Sequence, residues 1–340
     1  MDWIDSVILE SARKGKPTAA QEPTGLSRVT ISRRIKRLVE SGYLQRTGSG
    51  TRPAYALGAK RFWQAVMSGG DLAKAGGEEG VWEAHVRHLF DGVAPNVANI
   101  ARTGFTEITN NAIDHAQAQY VCMSAHLHGG RAQLAVMDDG MGVFRKIADR
   151  LALFDDRLAI LELAKGKYTT APEGHSGMGV FVTSRLFDRF VIHSRGLVFT
   201  LGQDFRFDWL DESLYADGTS VLMEIALDSK HTVQAVYDRF FDPDGYAPDA
   251  FHTTVVPVRL AQLSSDLISR SQGKWVVARA TEFSTVILDF EGVGTVGQAF
   301  VDEVFRVFRL AHPAVRLVPR NMSPEVHKYV RMFSPKGTLD

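Results

Sequence analysis

The chain has a single cysteine, Cys122, among its 340 residues. One thiol cannot form an intrachain disulfide, and it excludes a zinc site built from several cysteines. Because Cys122 lies within an apolar run, we expect it to be a core residue. No apolar run approaches the roughly 20 residues that a membrane-spanning helix requires. The acidic first residues also lack the basic and then apolar pattern of a signal peptide, so we expect a cytoplasmic protein with no membrane contact.

The chain also lacks net charge, with 39 basic and 39 acidic side chains. This balance hides an asymmetry. Residues 1–60 contain 11 Lys and Arg against 5 Asp and Glu, a balance of +6, and the remainder of the chain carries −6. A basic segment on a neutral chain favours a local nucleic-acid contact over a general affinity for polyanions.

The basic segment has the pattern of two helices followed by a hairpin. A short helix is predicted over residues 3–12 and a basic helix over 28–41, with Ser27 as its N-cap. Short strands around 43–45 and 54–57 flank a tip rich in Gly, Ser and Arg. This order resembles the winged helix-turn-helix of bacterial transcription regulators. The resemblance implies that the basic helix enters the major groove of double-stranded DNA.

The polar face of that helix provides the candidate DNA contacts. At about 100° per residue, Ile31, Ile35 and Leu38 share one face, and the basic side chains point away from it. The candidate residues on the helix and the wing are Arg28, Thr30, Ser32, Arg33, Arg37, Arg46 and Arg52. They are placed to contact base edges or phosphates. An alternative stays open, in which the winged helix contacts only protein and its basic residues form a solvated face.

The middle of the chain contains three polar motifs in succession, within residues 107–115, 138–142 and 174–179. The first lies on a helix predicted over 97–117. At about 100° per residue, Asn111 falls near 40° and Asp114 near −20° from Glu107, so the three polar groups share one face. The apolar side chains on the other side are Phe105, Ile108, Ala112 and Ala116. A carboxylate one turn from an amide can orient a nucleophile and help to hold Mg²⁺, which prefers hard oxygen ligands.

The second and third motifs are glycine turns. Asp138 ends an apolar run, and Gly140 and Gly142 allow a tight turn without side chains that would block a ligand. The third motif, Gly174 to Gly179, opens an apolar helix, and the backbone N–H groups at such a helix start suit a phosphate. A strand that ends in a polar turn and a glycine loop that begins a helix are together typical of a nucleotide pocket.

The order and spacing of the three motifs resemble the ATP-binding domain of the GHKL superfamily, which includes heat-shock chaperones, histidine kinases and anti-sigma-factor kinases. The resemblance implies ATP and Mg²⁺ as ligands, with Asn111 binding the metal, Glu107 acting as general base and Asp138 recognising adenine. The further cofactor-binding candidates are Asp114, Gly140, Gly142, Lys167, Thr169, Gly174, His175, Ser176, Gly177, Met178, Gly179 and Thr219. For Lys167 and Thr169 a solvated basic turn is an equally compatible interpretation.

The C-terminal region alternates predicted strands and helices, including a helix over 264–271 and a strand over 283–290. It resembles the STAS-like fold of anti-anti-sigma factors, which are partners of GHKL kinases. Aligning the strand end Asp289 to Val293 with that family places Ala299 at the position of the phosphoacceptor serine. Because Ala299 has no hydroxyl, phosphotransfer to it is excluded. We expect this domain to dock onto the ATP-binding domain of the same chain or to form a homodimer.

The sequence as a whole predicts an α+β multidomain protein. The expected domains are a winged helix-turn-helix over 1–62, a GHKL (Bergerat) α/β sandwich over 80–230 and a small STAS-like α/β domain over 250–335, with a linker around 68–80.

The expected function is an ATP-binding, DNA-binding transcriptional regulator in which the nucleotide state controls the winged helix. One alternative is an anti-sigma-type serine/threonine or histidine protein kinase, and another is a DNA-stimulated defence ATPase. Whether ATP is hydrolysed stays open, and Glu107 favours slow hydrolysis.

Overall fold

The computed structural model describes residues 1–47, 54–114, 116–167, 179–202, 207–208, 217–241, 251–263 and 266–333. Helices and strands are mixed along the chain, as an α+β protein requires. The chain forms two compact units, one of residues 1–141, 187–192 and 217–232 and the other of residues 142–186, 193–216 and 233–340. None of the helices in the described ranges has the length and apolar character needed to cross a membrane.

The N-terminal elements follow the predicted order of helix, turn, helix and hairpin. They are α1 (Trp3–Arg13), α2 (Gln21–Thr24), α3 (Arg28–Glu40), β1 (Leu44–Arg46) and β2 (Tyr55–Leu57). Strands β1 and β2 pair in antiparallel fashion. Helix α3 begins where it was predicted to begin, because the Ser27 hydroxyl accepts a hydrogen bond from the Thr30 N–H at 3.2 Å. Ile31, Ile35 and Leu38 of α3 are buried in one cluster with Ile8 and Leu9 of α1.

A buried carboxylate joins the first and third helices. Asp5 on α1 is fully buried, and its side chain accepts hydrogen bonds from Arg34 Nη1 at 2.8 Å and from Arg37 Nη2 at 2.6 Å. Both arginines lie on α3, so these ion pairs fix the packing of the two helices. Arg37 is a predicted DNA contact, but its guanidinium forms an ion pair with Asp5. More than half of the Arg37 side chain is nevertheless exposed.

Replacing Asp5 with Ala is expected to lower the free energy of unfolding by about 1.5–3 kcal/mol, because both guanidiniums lose a charged acceptor. Chemical denaturation measures this change. The matched control is Glu22→Ala on α2, an exposed acidic residue, which should leave stability within about 0.5 kcal/mol of the wild type. Equal stability of the Asp5 and Glu22 variants would show that the buried ion pairs do not hold the helices together.

Residues 61–241 contain the central strands and helices. The elements are β3 (Arg61–Ser68), α4 (Gly69–Lys74), α5 (Gly77–Val81), α6 (Pro95–Asp114), β4 (Tyr120–His128), β5 (Arg131–Asp138), α7 (Val143–Arg150), α8 (Arg157–Lys165), α9 (Gly179–Leu186), β6 (Arg189–Ser194), β7 (Leu197–Gly202), β8 (Phe207–Asp208), β9 (Thr219–Ala226) and α10 (Val233–Phe240). In the first unit β3 pairs with β4, β4 with β5 and β5 with β9, all antiparallel.

Strand β3 and the helices after it differ from the sequence prediction. The segment 68–80 was expected to be a linker, but most of it is helical. Ser68 caps α4, since its hydroxyl accepts from the Asp71 N–H at 3.2 Å and the Asp71 carboxylate accepts from the Ser68 hydroxyl. The predicted helix near 81–91 is present as a π-helical turn, Trp82–Val86, followed by a 3-10 turn, Arg87–Phe90.

The C-terminal region alternates strands and helices around a three-stranded parallel sheet. Its elements are β10 (Thr253–Pro257), α11 (Arg270–Val277), β11 (Thr285–Asp289), α12 (Gln298–Val301), α13 (Arg309–Ala311), β12 (Arg316–Arg320) and α14 (Pro324–Phe333), and the strand order is β10-β11-β12. The helix predicted over 264–271 is wrong for residues 266–269, and only its last two residues, Arg270 and Ser271, are helical. Helix α11 begins only after Ser269, whose side chain and that of Gln272 form a capping box.

Candidate functional site

The second polar motif surrounds the carboxylate of Asp138 at the end of β5. Asp138 lies opposite Thr219, the first residue of β9. Its Oδ1 atom accepts hydrogen bonds from the N–H groups of Gly140 at 2.9 Å and of Thr219 at 3.2 Å. Within the described residues, Oδ2 has no hydrogen-bond donor. Burial raises the pKa of Asp138, and the two backbone N–H groups offset only part of this effect.

Two glycines allow the backbone to approach this carboxylate closely. A Cβ atom on Gly140 would lie 2.1 Å from the carbonyl oxygen of Ala116. Gly218 has a φ of +73°, and a Cβ atom there would lie 1.9 Å from the carbonyl oxygen of Asp138. Gly140 and Thr219 are predicted site residues, whereas Gly218 was not predicted to be one. The sequence feature that could have identified Gly218 is its position directly before the predicted site residue Thr219.

The turn after Asp138 contacts the chain that follows α6. Met141 N–H donates to the carbonyl oxygen of Ala116 at 3.1 Å. Asp139 Oδ1 accepts from the N–H groups of Gln119 at 2.8 Å and of Tyr120 at 3.0 Å. The second motif is therefore joined to the segment that directly follows the first motif. Asp139 was not a predicted site residue, because its structural role depends on this contact between segments about 20 residues apart.

The first motif lies on α6, which packs against β4, β5 and β9. Phe105, Ile108 and Ala112 are buried, as predicted, whereas Ala116 lies beyond the last helical residue. The polar residues of the motif lie on the other side. Glu107 and Asn111 are half-buried and Asp114 is exposed.

Glu107 and Asn111 contact each other directly. Asn111 Nδ2 donates a hydrogen bond to Glu107 Oε1 at 3.1 Å. This orientation of the amide directs Nδ2 to the carboxylate and leaves the other amide atom, Oδ1, for a different partner. A neutral oxygen next to a carboxylate is the kind of donor set that Mg²⁺ accepts together with waters and phosphate oxygens. Asn111 therefore fits its predicted role as the metal ligand, with the predicted base Glu107 beside it.

The second unit contains the other described candidates. Gly142 precedes α7 with a φ of +86°, and a Cβ atom there would lie 2.7 Å from Ser194 Oγ. Gly179 is the first residue of α9. Lys167 Nζ donates to the carbonyl oxygen of Glu282 at 2.7 Å and lies 5.0 Å from the centre of the Phe283 ring. The predicted phosphate ligand Lys167 is thus engaged with the C-terminal region. The candidates Thr169, Gly174, His175, Ser176, Gly177 and Met178 lie outside the described residues.

The candidate DNA contacts lie mainly on the exposed side of α3. Arg28, Ser32 and Arg33 are exposed, and Thr30 is half-buried, with its hydroxyl 3.0 Å from that of Ser27. Arg46 is exposed at the end of β1. Arg52 lies outside the described residues.

Comparison with known families identifies two regions. Residues 80–201 match the histidine kinase-like ATPase domain, and residues 273–327 match a STAS-like domain of unknown function. The protein therefore contains an ATPase domain of the GHKL type and a STAS-like domain. The three motifs lie within the first matched region, and Thr219 lies beyond it. No curated protein matches the chain.

Proposed function

We propose that this protein is an ATP-binding, DNA-binding transcriptional regulator in which the nucleotide state of the ATPase domain controls the N-terminal helices. The main observation in favour of nucleotide binding is the environment of the Asp138 carboxylate. Its Oδ1 atom accepts from two backbone donors, and Oδ2, which has no donor among the described residues, can accept a hydrogen bond from an amino group such as that of adenine. The match of residues 80–201 to an ATPase domain supports this assignment.

Each polar residue of α6 has a distinct part in the proposed chemistry. Asn111 Oδ1 would hold Mg²⁺, and the metal would neutralise and orient the phosphates of the nucleotide. Glu107 would orient or deprotonate the attacking water or hydroxyl. The hydrogen bond from Asn111 Nδ2 fixes the position of the Glu107 carboxylate for that purpose.

Contacts within the first unit support coupling between the N-terminal helices and the sheet. Gln64 N–H on β3 donates to Ser6 Oγ on α1 at 3.0 Å. The Glu10 carboxylate lies 2.5 Å from His85 Nδ1, and the Tyr43 hydroxyl lies 2.7 Å from His126 Nε2. A change in the position of β3 or β4 would therefore move α1, and the helix α3 that α1 holds through Asp5.

Calorimetric titration of the full chain tests the nucleotide part of the proposal. ATP with Mg²⁺ is expected to bind and to raise the melting temperature, with weaker binding when the metal is removed by EDTA. Adding duplex DNA is expected to change the ATP affinity, since coupling between two ligands is reciprocal. Absence of any heat or thermal shift with ATP would contradict the proposal.

A protein kinase is the second candidate function. The matched ATPase family is histidine kinase-like, and Glu107 is placed to deprotonate a hydroxyl as well as water. Ala299, at the start of α12, offers no hydroxyl as an internal acceptor. Labelled ATP separates the two functions, because labelled protein supports a kinase, and free phosphate or intact ATP supports the regulator.

Arg33→Ala is expected to lower the slope of log affinity for duplex DNA against log salt concentration by about 1, because one phosphate contact is lost. Arg33 is exposed and, within the described residues, forms no ion pair, so the melting temperature should not change. Fluorescence anisotropy titrations at several salt concentrations measure the slope.

Three further variants complete this test. Lys74→Ala on α4 removes an exposed positive charge outside the N-terminal elements and should leave the slope unchanged. Arg37→Ala should also lower the melting temperature, because Arg37 is paired with Asp5. A wild-type slope in the double variant of Arg28 and Arg33 would indicate that the N-terminal helices contact protein instead of DNA.

A further inference from the structure

The end of α8 is embedded in the C-terminal region through a fully buried lysine. Lys165 Nζ donates to the carbonyl oxygens of Trp275 at 2.8 Å and of Ala278 at 2.9 Å, and to Glu162 Oε1 at 2.6 Å. The two carbonyls lie at the C-terminal end of α11, where carbonyl groups lack partners within the helix and where a positive charge is favoured. Helix α8 belongs to the region matched to the ATPase domain, and α11 to the region matched to the STAS-like domain.

The C-terminal region also holds the backbone at the end of α8. Thr254 Oγ1 donates to the carbonyl oxygen of Lys165 at 2.6 Å. Arg279 Nη2 donates to the carbonyl oxygens of Gly166 at 3.2 Å and of Lys167 at 2.8 Å. Three successive carbonyls thus accept hydrogen bonds from side chains of the C-terminal region.

The charges in this cluster balance each other. Arg279 also contacts Glu162 Oε2 at 3.3 Å and Glu282 Oε2 at 2.7 Å, so two cations and two carboxylates lie together. Burial lowers the pKa of Lys165, and the Glu162 carboxylate opposes this effect. Lys165 and Glu162 are buried and Arg279 is mostly buried, and such charges are favourable only when they keep their partners, so the cluster disfavours other arrangements of the two chain segments. Such a network is suited to holding the end of α8 in one position against the end of α11.

We propose that the STAS-like domain positions residues 165–167 for nucleotide binding, with Arg279 and Thr254 as positioning residues that act through the backbone of α8. This inference rests on the proposed ATP-binding function. Lys167 is itself a predicted phosphate ligand, and the predicted phosphate-binding sequence follows it in the chain. A partner that binds the STAS-like domain near the end of α11 would thereby alter ATP affinity, and ATP would alter the affinity for that partner by the same factor.

Arg279→Gln tests the proposal with the full-length protein. The affinity for ATP with Mg²⁺ is expected to fall roughly tenfold, within the usual range of coupling between sites. The affinity for adenosine should not change, because adenosine has no phosphates and relies on Asp138. Arg279→Lys should restore part of the ATP affinity. Lys274→Gln, an exposed residue of α11, is the matched control and should bind both ligands like the wild type.

Thr254→Val provides a second, smaller change in case Arg279→Gln does not fold. It keeps the size of a buried side chain and removes the hydroxyl that donates to Lys165, so it should lower the ATP affinity in the same direction and leave adenosine binding intact. An unchanged ratio of ATP to adenosine affinity in folded variants would overturn the positioning role. Failure of the wild type to bind ATP would overturn the proposed function itself, and this inference with it.

Discussion

Replacing Glu107 with Gln is expected to lower the rate of ATP hydrolysis or phosphotransfer by about 10²- to 10⁴-fold, the usual contribution of a positioned general base. Gln keeps the size of the side chain and retains an oxygen that can accept from Asn111 Nδ2. It cannot take a proton from the nucleophile. ATP binding should be retained, because the proposed contacts with adenine are made by Asp138. Phosphate release and labelling of protein from radioactive ATP measure the rate, and calorimetry measures the binding.

The matched control for Glu107→Gln is Glu83→Gln. Glu83 is an exposed carboxylate of the same unit and forms a surface ion pair with Arg87 at 3.2 Å. This variant should keep the wild-type rate. If Glu107→Gln also kept the full rate, another residue would have to be the base, and the contact between Glu107 and Asn111 would be only structural.

Local chemistry explains which features could be predicted from the sequence. The Ser27 cap depends on residues three positions apart, and the carboxylate turn at Asp138 depends on an apolar run followed by glycines. The same holds for the hairpin between β6 and β7, where Arg195 and Gly196 adopt the positive φ values of 47° and 81° that such a turn uses. In each case the physical cause lies within a few residues, so the sequence pattern contains it.

Features that depend on distant partners were not predictable in this way. Strand β3 forms because its eight residues pair with β4, about 60 positions later, and its buried positions do not alternate cleanly. The arginine partners of Asp5 lie about 30 residues away, and the two carbonyl partners of Lys165 at the end of α11 lie about 110 residues away. The periodicity of α3 correctly placed Arg37 opposite the apolar face, but it could not show that a buried carboxylate of another helix reaches that side chain. Lys167 was predicted to bind phosphate only because of its position between the second and third motifs. In the structure its Nζ donates a hydrogen bond to the carbonyl oxygen of Glu282.

Asp138→Asn is expected to weaken ATP binding by at least tenfold, since a charge-assisted hydrogen bond to the base contributes about 1.5–3 kcal/mol. The Asn side chain retains an oxygen for the N–H groups of Gly140 and Thr219, so the turn should be preserved. At the other position it presents an amino group, which cannot accept from the adenine amino group. Calorimetry with ATP measures the loss. Asp228→Asn, an exposed residue beyond the opposite end of β9, is the matched control and should bind ATP like the wild type.

The stability of the ligand-free Asp138→Asn variant separates a binding role from a structural one. Burial raises the pKa of Asp138 above its ordinary value of 3.8, so the ionised carboxylate disfavours the folded state once the pH exceeds that value. Asn cannot ionise, and the variant should therefore melt at the same temperature as the wild type or higher at pH 7. The difference should shrink as the pH falls towards 3.8, where the wild-type carboxyl takes up its proton. A variant that binds ATP normally, or that melts well below the wild type at pH 7, would show that Asp138 supports the turn and does not recognise the nucleotide.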